Sequence, residues 1–317
     1  MIRVAVVGAG HFGRKHAQIY ASSTGAALVA VCDIDESNGE AVAELFAADF
    51  MSDFRELIGR VDAVSIAVPT ISHHAIACEL LEAGISVLME KPISATLDEA
   101  EQIIAAAERG RAALQIGHLE RFNPAVTAAS AMVTKPLFFE AHRLSIFSAR
   151  SLDIDVVMDL MIHDLDVVLS FVESEVREVR AAGVPILTSK VDIANARIEF
   201  ENGCVANLTA SRVSSEHVRK LRFFQPHEYV SIDYSAQEAA VVSVKPGVEG
   251  KPSFDSRSLQ IDREEPLRLE IESFLRAVEG EPVRVSGEDG RRALALAVEI
   301  TKKIREHAGR AGVSALS

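Results

Sequence analysis

Apolar and polar positions follow two regimes along this chain. Over the first 120 residues, continuous apolar runs of strand length alternate with stretches of helical period. The runs are residues 1–7, Ala27–Cys32, Asp49–Met51, Ala63–Val68, Ile85–Met89 and Ala112–Gly117. Strands apolar on both sides suit a parallel sheet covered on both faces. Helices fall between them: one to about Ala21, one through Ala41–Leu45, and a short one with Phe54, Leu57 and Ile58 that Ser52 caps. A further helix, Ser72–Glu82, closes at Gly84; the last opens on a Thr96–Glu99 capping box and ends near Gly110. Repeated βα units of this length predict a right-handed, doubly wound sheet over residues 1–121.

From Glu120 the pattern changes, and residues 122–317 read as a second domain. Asn123-Pro124 has the form of a helix N-cap with proline in the first turn. Ala194, Ala196, Ile198 and Phe200 alternate with Asn195, Arg197 and Glu199, and Asn202-Gly203 turns the chain into Val205–Arg212. More strands fit His217–Phe224, Tyr229–Tyr234 and Ala239–Val244, so the sheet here is expected to be largely antiparallel. Gly247–Ile261 reads as loop or irregular strand, and helices Pro266–Val278 and Gly287–His307 close the chain. The helix Asp155–Val172 is apolar nearly all round, which predicts burial. Yet Asp159, His163 and Asp166 fall at i, i+4 and i+7 on one face, a costly stripe unless it is paired or faces a site. Val230, Ile232, Val242 and Val244 are expected on an exposed sheet face, where packing against another subunit would give a homodimer or homotetramer.

A formal net charge of −13 argues against nucleic acid or an anionic membrane as partner. It leaves phosphorylated small molecules open, since local amides hold them. Cys32, Cys78 and Cys204 lie far apart in no metal spacing and read as reduced structural thiols, which points to the cytoplasm. The chain enters a strand at once, without a signal peptide, and no apolar stretch is long enough to span a bilayer.

The first apolar run ends in Gly8-Ala9-Gly10-His11-Phe12-Gly13, a G-x-G-x-x-G between strand and helix. Gly8 suits the tight turn, Gly10 lets a pyrophosphate approach the main chain, and Gly13 lets the helix pack closely. The second strand ends in Asp33, where an acid binds ribose hydroxyls and repels a 2′-phosphate, favouring NAD over NADP. For hydride chemistry on an alcohol, His163 is the natural base and Asp159 can orient it. Lys91 stands at the carboxyl edge of the sheet, where its ammonium could bind a substrate oxygen. The alternatives are a satisfied core histidine at His163, a divalent ion held by the stripe of Asp159, His163 and Asp166, and a solvated loop lysine at Lys91. A metal is not expected.

Glu90-Lys91-Pro92 after a strand, the preceding Pro69-Thr70-Ile71-Ser72-His73, and Asp159-x-x-x-His163 on a later helix resemble the Gfo/Idh/MocA family of NAD(P)-dependent oxidoreductases, over essentially the whole chain. The resemblance implies a Rossmann domain followed by an α/β domain with an open sheet. It also implies Lys91 and His163 as the catalytic pair with Asp159 beside them. Gly8, Gly10, His11, Phe12, Gly13, Asp33, Thr70, His73, Glu90 and Lys91 fall on the cofactor side. The run Gly117–Val126 resembles the branch that oxidises the 3-hydroxyl of UDP-N-acetylglucosamine, with His118, Glu120, Arg121 and Asn123 as candidate substrate contacts. Asn123 can equally be only a helix cap. The chain departs from the family at Val156-Val157-Met158, where a glycine-rich lead is usual. A free sugar, inositol or other cyclic polyol would use the same catalytic set, and a non-catalytic NAD-binding sensor is the third reading.

Overall fold

The computed structural model describes residues 1–147, 154–246 and 252–311. The chain divides into two compact units, Met1–Leu119 with Glu265–Leu294, and Glu120–Glu264 with Ala295–Ser317. The sequence suggests one cut between 121 and 122; in the structure the segment Glu265–Leu294 returns to the first unit.

The first unit is a six-stranded sheet of β1 (Ile2–Val7), β2 (Ala26–Cys32), β3 (Asp49–Met51), β4 (Ala63–Ile66), β5 (Ser86–Glu90) and β6 (Leu114–Gly117). Its order is β3-β2-β1-β4-β5-β6 and every neighbouring pair is parallel. The order reverses between β1 and β4, the switch point at which such sheets bind ligands at their carboxyl ends. Helices α1 (His11–Ser22), α2 (Glu36–Leu45), α3 (His73–Glu82), α4 (Leu97–Gly110) and α7 (Pro266–Val278) belong to this unit. Val4, Val6, Tyr20, Leu88, Ile271 and Phe274 share one buried core, so α7 packs into the same apolar layer as α1. The Thr96–Glu99 capping box forms with both its hydrogen bonds. Asp53, rather than Ser52, caps the short turn Phe54–Leu57, because its carboxylate accepts from the Arg55 N–H.

The second unit is built on an eight-stranded sheet of β7 (Phe138–Leu144), β8 (Val176–Val184), β9 (Ile193–Phe200), β10 (Val205–Ser211), β11 (Val218–Gln225), β12 (Glu228–Asp233), β13 (Glu238–Pro246) and β14 (Pro252–Ser258). The order is β14-β13-β12-β11-β7-β10-β9-β8, antiparallel except for the parallel pair β7 and β10. Gly203 takes φ +84 at the β9–β10 turn. Helices α5 (Pro124–Ser130) and α6 (Ile162–Phe171) lie here, and α8 (Gly287–Ala311) passes from one unit's residues to the other's. Of the segment 247–261, β14 occupies 252–258, while 247–251 lies outside the described residues.

The sequence pattern does not reveal β7 and β8. In β7 the buried alternate set is Phe139, Ala141 and Arg143, so a charge occupies a core position. In β8 only Val179 and Gly183 are buried, too few to show a period of two. The long helix opens with Asp155 accepting from the Val157 and Met158 N–H groups, runs through one π-turn, Val157–Met161, and only then becomes α6. Apolar periodicity does not distinguish a single widened turn from α-helix. Finally, Val230 and Ile232 are fully buried, because they pair with Val241 and Ala239 on the covered face. The opposite face instead carries a row of Phe138, Phe224, Tyr229 and Val242 across four strands. Its rings lie 5.8 Å and 5.2 Å apart from Phe138 to Phe224 to Tyr229.

Candidate active site

The glycine loop is built by steric necessity. Gly8 follows β1 with φ +98, and a β-carbon there would lie 2.5 Å from the Ala67 carbonyl oxygen. Its N–H donates to the Cys32 oxygen at 2.7 Å, tying the loop to the end of β2. A β-carbon at Gly13 would fall 1.6 Å from the Gly8 oxygen. Gly10 differs: nothing lies within 4 Å of the corresponding position. It is the N-cap of α1 and supplies no side-chain cap, and no acid occupies the first turn. The orphan N–H groups of that turn, with the positive end of the helix dipole, suit an anion. His11 and Phe12 are exposed beside it, their rings edge to face at 5.9 Å.

Asp33 stands directly after β2 and is half-buried. One carboxylate oxygen accepts from the Ala9 N–H at 2.5 Å and the other from the Asp35 N–H at 2.9 Å. The acid is thus fixed against the glycine loop. A tight turn closed by glycines, an uncapped helix start and an adjacent acid together fit the pyrophosphate and ribose of a dinucleotide.

Past β4, Thr70 lies half-buried in the turn Thr70–Ser72. His73 is 1% exposed, with Nδ1 3.0 Å from the Pro92 oxygen and Nε2 3.0 Å from the Val68 oxygen. Burial pulls its pKa down, against the pull of these carbonyls and Glu90. The His73 ring clips the turn after β4 to the Lys91-Pro92 segment. Glu90, the last residue of β5, meets His16 Nε2 at 3.1 Å. Lys91 follows, half-buried, and the Lys91-Pro92 peptide is cis. His118, just past β6, is buried.

In the second unit, Arg143 on β7 is 3% exposed and forms a two-pronged pair with Asp164 on α6, at 2.8 and 3.0 Å. It also donates to Glu120 at 3.0 Å and lies over the Tyr234 ring. Burial alone would lower the Arg143 pKa, but Asp164 and Glu120 outweigh it and raise it. Asn123 donates to Glu120 at 3.2 Å and to the Tyr234 carbonyl at 3.0 Å, and caps α5 by accepting from the Ala125 N–H. Glu120 and Asn123, expected as substrate contacts, thus also have protein partners within the unit. Arg121, 3.5 Å from Asp166, keeps more exposure, 18% of its side chain. Asp159 in the π-turn and His163 in the first turn of α6 are both half-buried. Sequence reasoning missed Asp164 and Arg143, whose pairing joins residues 21 apart in the chain.

Residues 2–118 match the family described as oxidoreductase, NAD-binding Rossmann fold, and residues 97–225 match the GFO/IDH/MocA C-terminal domain. The chain belongs to the Gfo/Idh/MocA oxidoreductase family. It is 41% identical over 303 residues to a UDP-N-acetylglucosamine 3-dehydrogenase of Acidithiobacillus ferrooxidans, covering 94% of this chain and 96% of that one. The solved structure of that enzyme from the same organism superposes with a TM-score of 0.91 at 38% identity, covering 96% of this chain and 97% of its own. An inositol 2-dehydrogenase of Rubrobacter xylanophilus is 36% identical over 193 residues, covering 58% of this chain and 56% of that one. The enzyme is thus an oxidoreductase with a nicotinamide-dinucleotide-binding Rossmann unit. Among the described residues, no helix is long and apolar enough to cross a membrane.

Proposed function

We propose that this enzyme oxidises the 3-hydroxyl of UDP-N-acetylglucosamine to a ketone with NAD. The observation that carries this reading is identity of 41% along nearly the full length of both chains with an enzyme of that name, whereas the inositol 2-dehydrogenase matches over little more than half. When bound, NAD accepts the hydride. Gly8 and Gly13 shape the loop, Gly10 would leave room for its pyrophosphate, the N–H groups at the start of α1 would bind it with His11 and Phe12 beside it, and Asp33 would bind the adenosine ribose. The same carboxylate repels a 2′-phosphate, which selects NAD over NADP. Thr70 and Glu90 line the nicotinamide side.

Lys91 hydrogen-bonds the reacting oxygen and steadies the charge that develops on it. His163 takes the hydroxyl proton, and Asp159, one turn earlier, orients the imidazole and stabilises its protonated form. His118 and Arg121 contribute to substrate binding, the planar guanidinium suiting a diphosphate. Across the second sheet the row from Phe138 to Val242 is the surface on which we place self-association into dimers or tetramers, in a cytoplasmic enzyme. The test compares initial rates of NADH formation with UDP-N-acetylglucosamine, free N-acetylglucosamine and myo-inositol. The reading expects the nucleotide sugar to lead in kcat/KM by at least tenfold; a lead for myo-inositol would replace it with the polyol reading.

A further inference from the structure

Beside the Glu90-Lys91 turn, inside the first unit, lies a polar cluster of which the roles assigned above use only Glu90. His16 and Tyr20 reach it from α1, Ser65 from β4, Glu90 from the end of β5 and Glu270 from α7. Tyr20, Ser65, His16 and Glu270 are each at most 1% exposed. Tyr20 Oη lies 2.8 Å from Ser65 Oγ, Ser65 Oγ 3.0 Å from His16 Nδ1, and His16 Nε2 3.1 Å from Glu90 Oε1. With Glu90 accepting, the donors run in one direction. The phenol donates to the serine, the serine hydroxyl donates to Nδ1, and Nε2–H donates to the carboxylate.

Glu270 stands outside this chain. Among the described residues, neither of its carboxyl oxygens has a hydrogen-bond partner. Yet one of its oxygens lies within 4.8 Å of both Glu90 and His16. The nearby Gln115 amide donates to the Glu270 main-chain carbonyl at 3.0 Å, not to its carboxyl. The ionisable groups that face it are His16 and Tyr20 from α1 and Glu90 from β5. A second buried carboxylate this close to Glu90 meets both loss of hydration and like-charge repulsion, and both push the Glu270 carboxyl well above the usual range.

We propose that Glu270 is a positioning residue, a neutral carboxylic acid whose O–H donates to Glu90 and, together with His16, fixes the side chain that immediately precedes Lys91. One side-chain rotation, or one water molecule, closes the remaining separation. Glu90 then accepts from two buried donors, and the Lys91 turn is anchored from α1 and α7 at once. The importance of that anchoring for turnover rests on the reading of Lys91 given under Proposed function. One histidine and two carboxylates also form a donor set for a divalent metal. A proton is the better occupant because His16 and Glu90 already hydrogen-bond each other, and one proton on Glu270 removes the like-charge conflict.

The test combines infrared spectroscopy with kinetics on the intact enzyme. At neutral pH the wild-type protein should show the C=O band of a protonated carboxylic acid, and Glu270→Gln should lack it. Glu270→Gln retains a donor for Glu90, so its kcat should stay within about threefold of wild type. Glu270→Ala removes the donor and should lower kcat about 10- to 100-fold, with the KM for NAD moved less than about threefold. Should Glu270→Ala fail to fold, the infrared band and Glu270→Gln still decide. Absence of the band in wild type, or a Glu270→Gln enzyme as slow as Glu270→Ala, overturns the proposal. So does a stoichiometric divalent metal in the isolated protein whose removal by chelator lowers Tm. The infrared measurement uses no substrate, so a failure to oxidise UDP-N-acetylglucosamine would count against the proposed function alone.

Discussion

A β-carbon on Gly13 would sit 1.6 Å from the carbonyl oxygen of Gly8, so the first turn of α1 and the loop after β1 approach as closely as main chains allow. Gly10, between them, faces open space. The two glycines should respond differently to the same methyl group. Gly13→Ala forces the backbone apart and should cost about 1–3 kcal/mol of stability, seen as a lowered Tm without any ligand. Gly10→Ala should leave the unliganded Tm nearly unchanged but raise the Kd for NAD at least tenfold, measured by calorimetry. Equal losses of Tm in both variants would contradict the assignment of Gly10 to the phosphate approach.

Asp33 accepts the Ala9 N–H while standing where the adenosine ribose is expected. Asp33→Asn keeps an acceptor for that N–H and removes only the charge. The variant should therefore fold normally and gain about tenfold in kcat/KM with NADP relative to NAD, since like-charge repulsion is the term removed. Parallel rate measurements with the two cofactors check this; an unchanged ratio would place the cofactor preference elsewhere.

The first unit was nearly transparent to sequence reading because its signals are local. The glycine spacing, the Thr96–Glu99 box and uninterrupted apolar strands each declare themselves within a dozen residues. The second unit hides its logic in pairs that only folding brings together. Arg143 breaks the alternation of β7, and the partner that allows its burial, Asp164, comes from another element. Glu120 and Asn123 enter as candidate ligand contacts through the resemblance of the run Gly117–Val126. Their partners Arg143 and Tyr234 could not be inferred from spacing. Val230 and Ile232 face the covered side rather than the exposed one, because a β-branched strand residue carries no mark of which side is covered.

Asp192 gives the second unit a definite acid response. Burial would push its carboxyl pKa up, but the N–H groups of Thr188, Ile186 and Leu187 and the Thr188 hydroxyl outweigh that and hold it at about 2, below its ordinary 3.8. Its side chain is fully buried and meets Arg212 at 3.0 Å. A depressed carboxyl stabilises the fold fully above the unfolded value and loses that contribution as pH falls through 3.8 toward 2. The contribution at neutral pH is about 2 kcal/mol. Urea titrations of wild type and Asp192→Asn at pH 7 and pH 2.5 should show their stability difference shrinking by about 1.5 kcal/mol on acidification, since the folded carboxyl is still largely ionised at pH 2.5. A difference independent of pH would contradict it.

Removal of the proposed base separates chemistry from binding. His163→Ala should lower kcat by about 10²–10⁴-fold while the Kd for NAD stays nearly constant, because the glycine loop and Asp33 are untouched. Asp159→Asn should give a smaller loss and a shifted kcat–pH profile, as expected of a residue that acts through the imidazole. A His163→Ala enzyme with near-normal turnover would return that side chain to the core.

Hydride transfer from carbon 3 is measured most directly with UDP-N-acetylglucosamine deuterated at that carbon alone, incubated with the enzyme and NAD. Mass spectrometry of the reduced cofactor should find one deuterium per molecule formed, in equal amount to a 3-keto nucleotide sugar. Reduced cofactor free of deuterium would mean that another carbon is oxidised, and no reduced cofactor at all would contradict the assignment of this substrate.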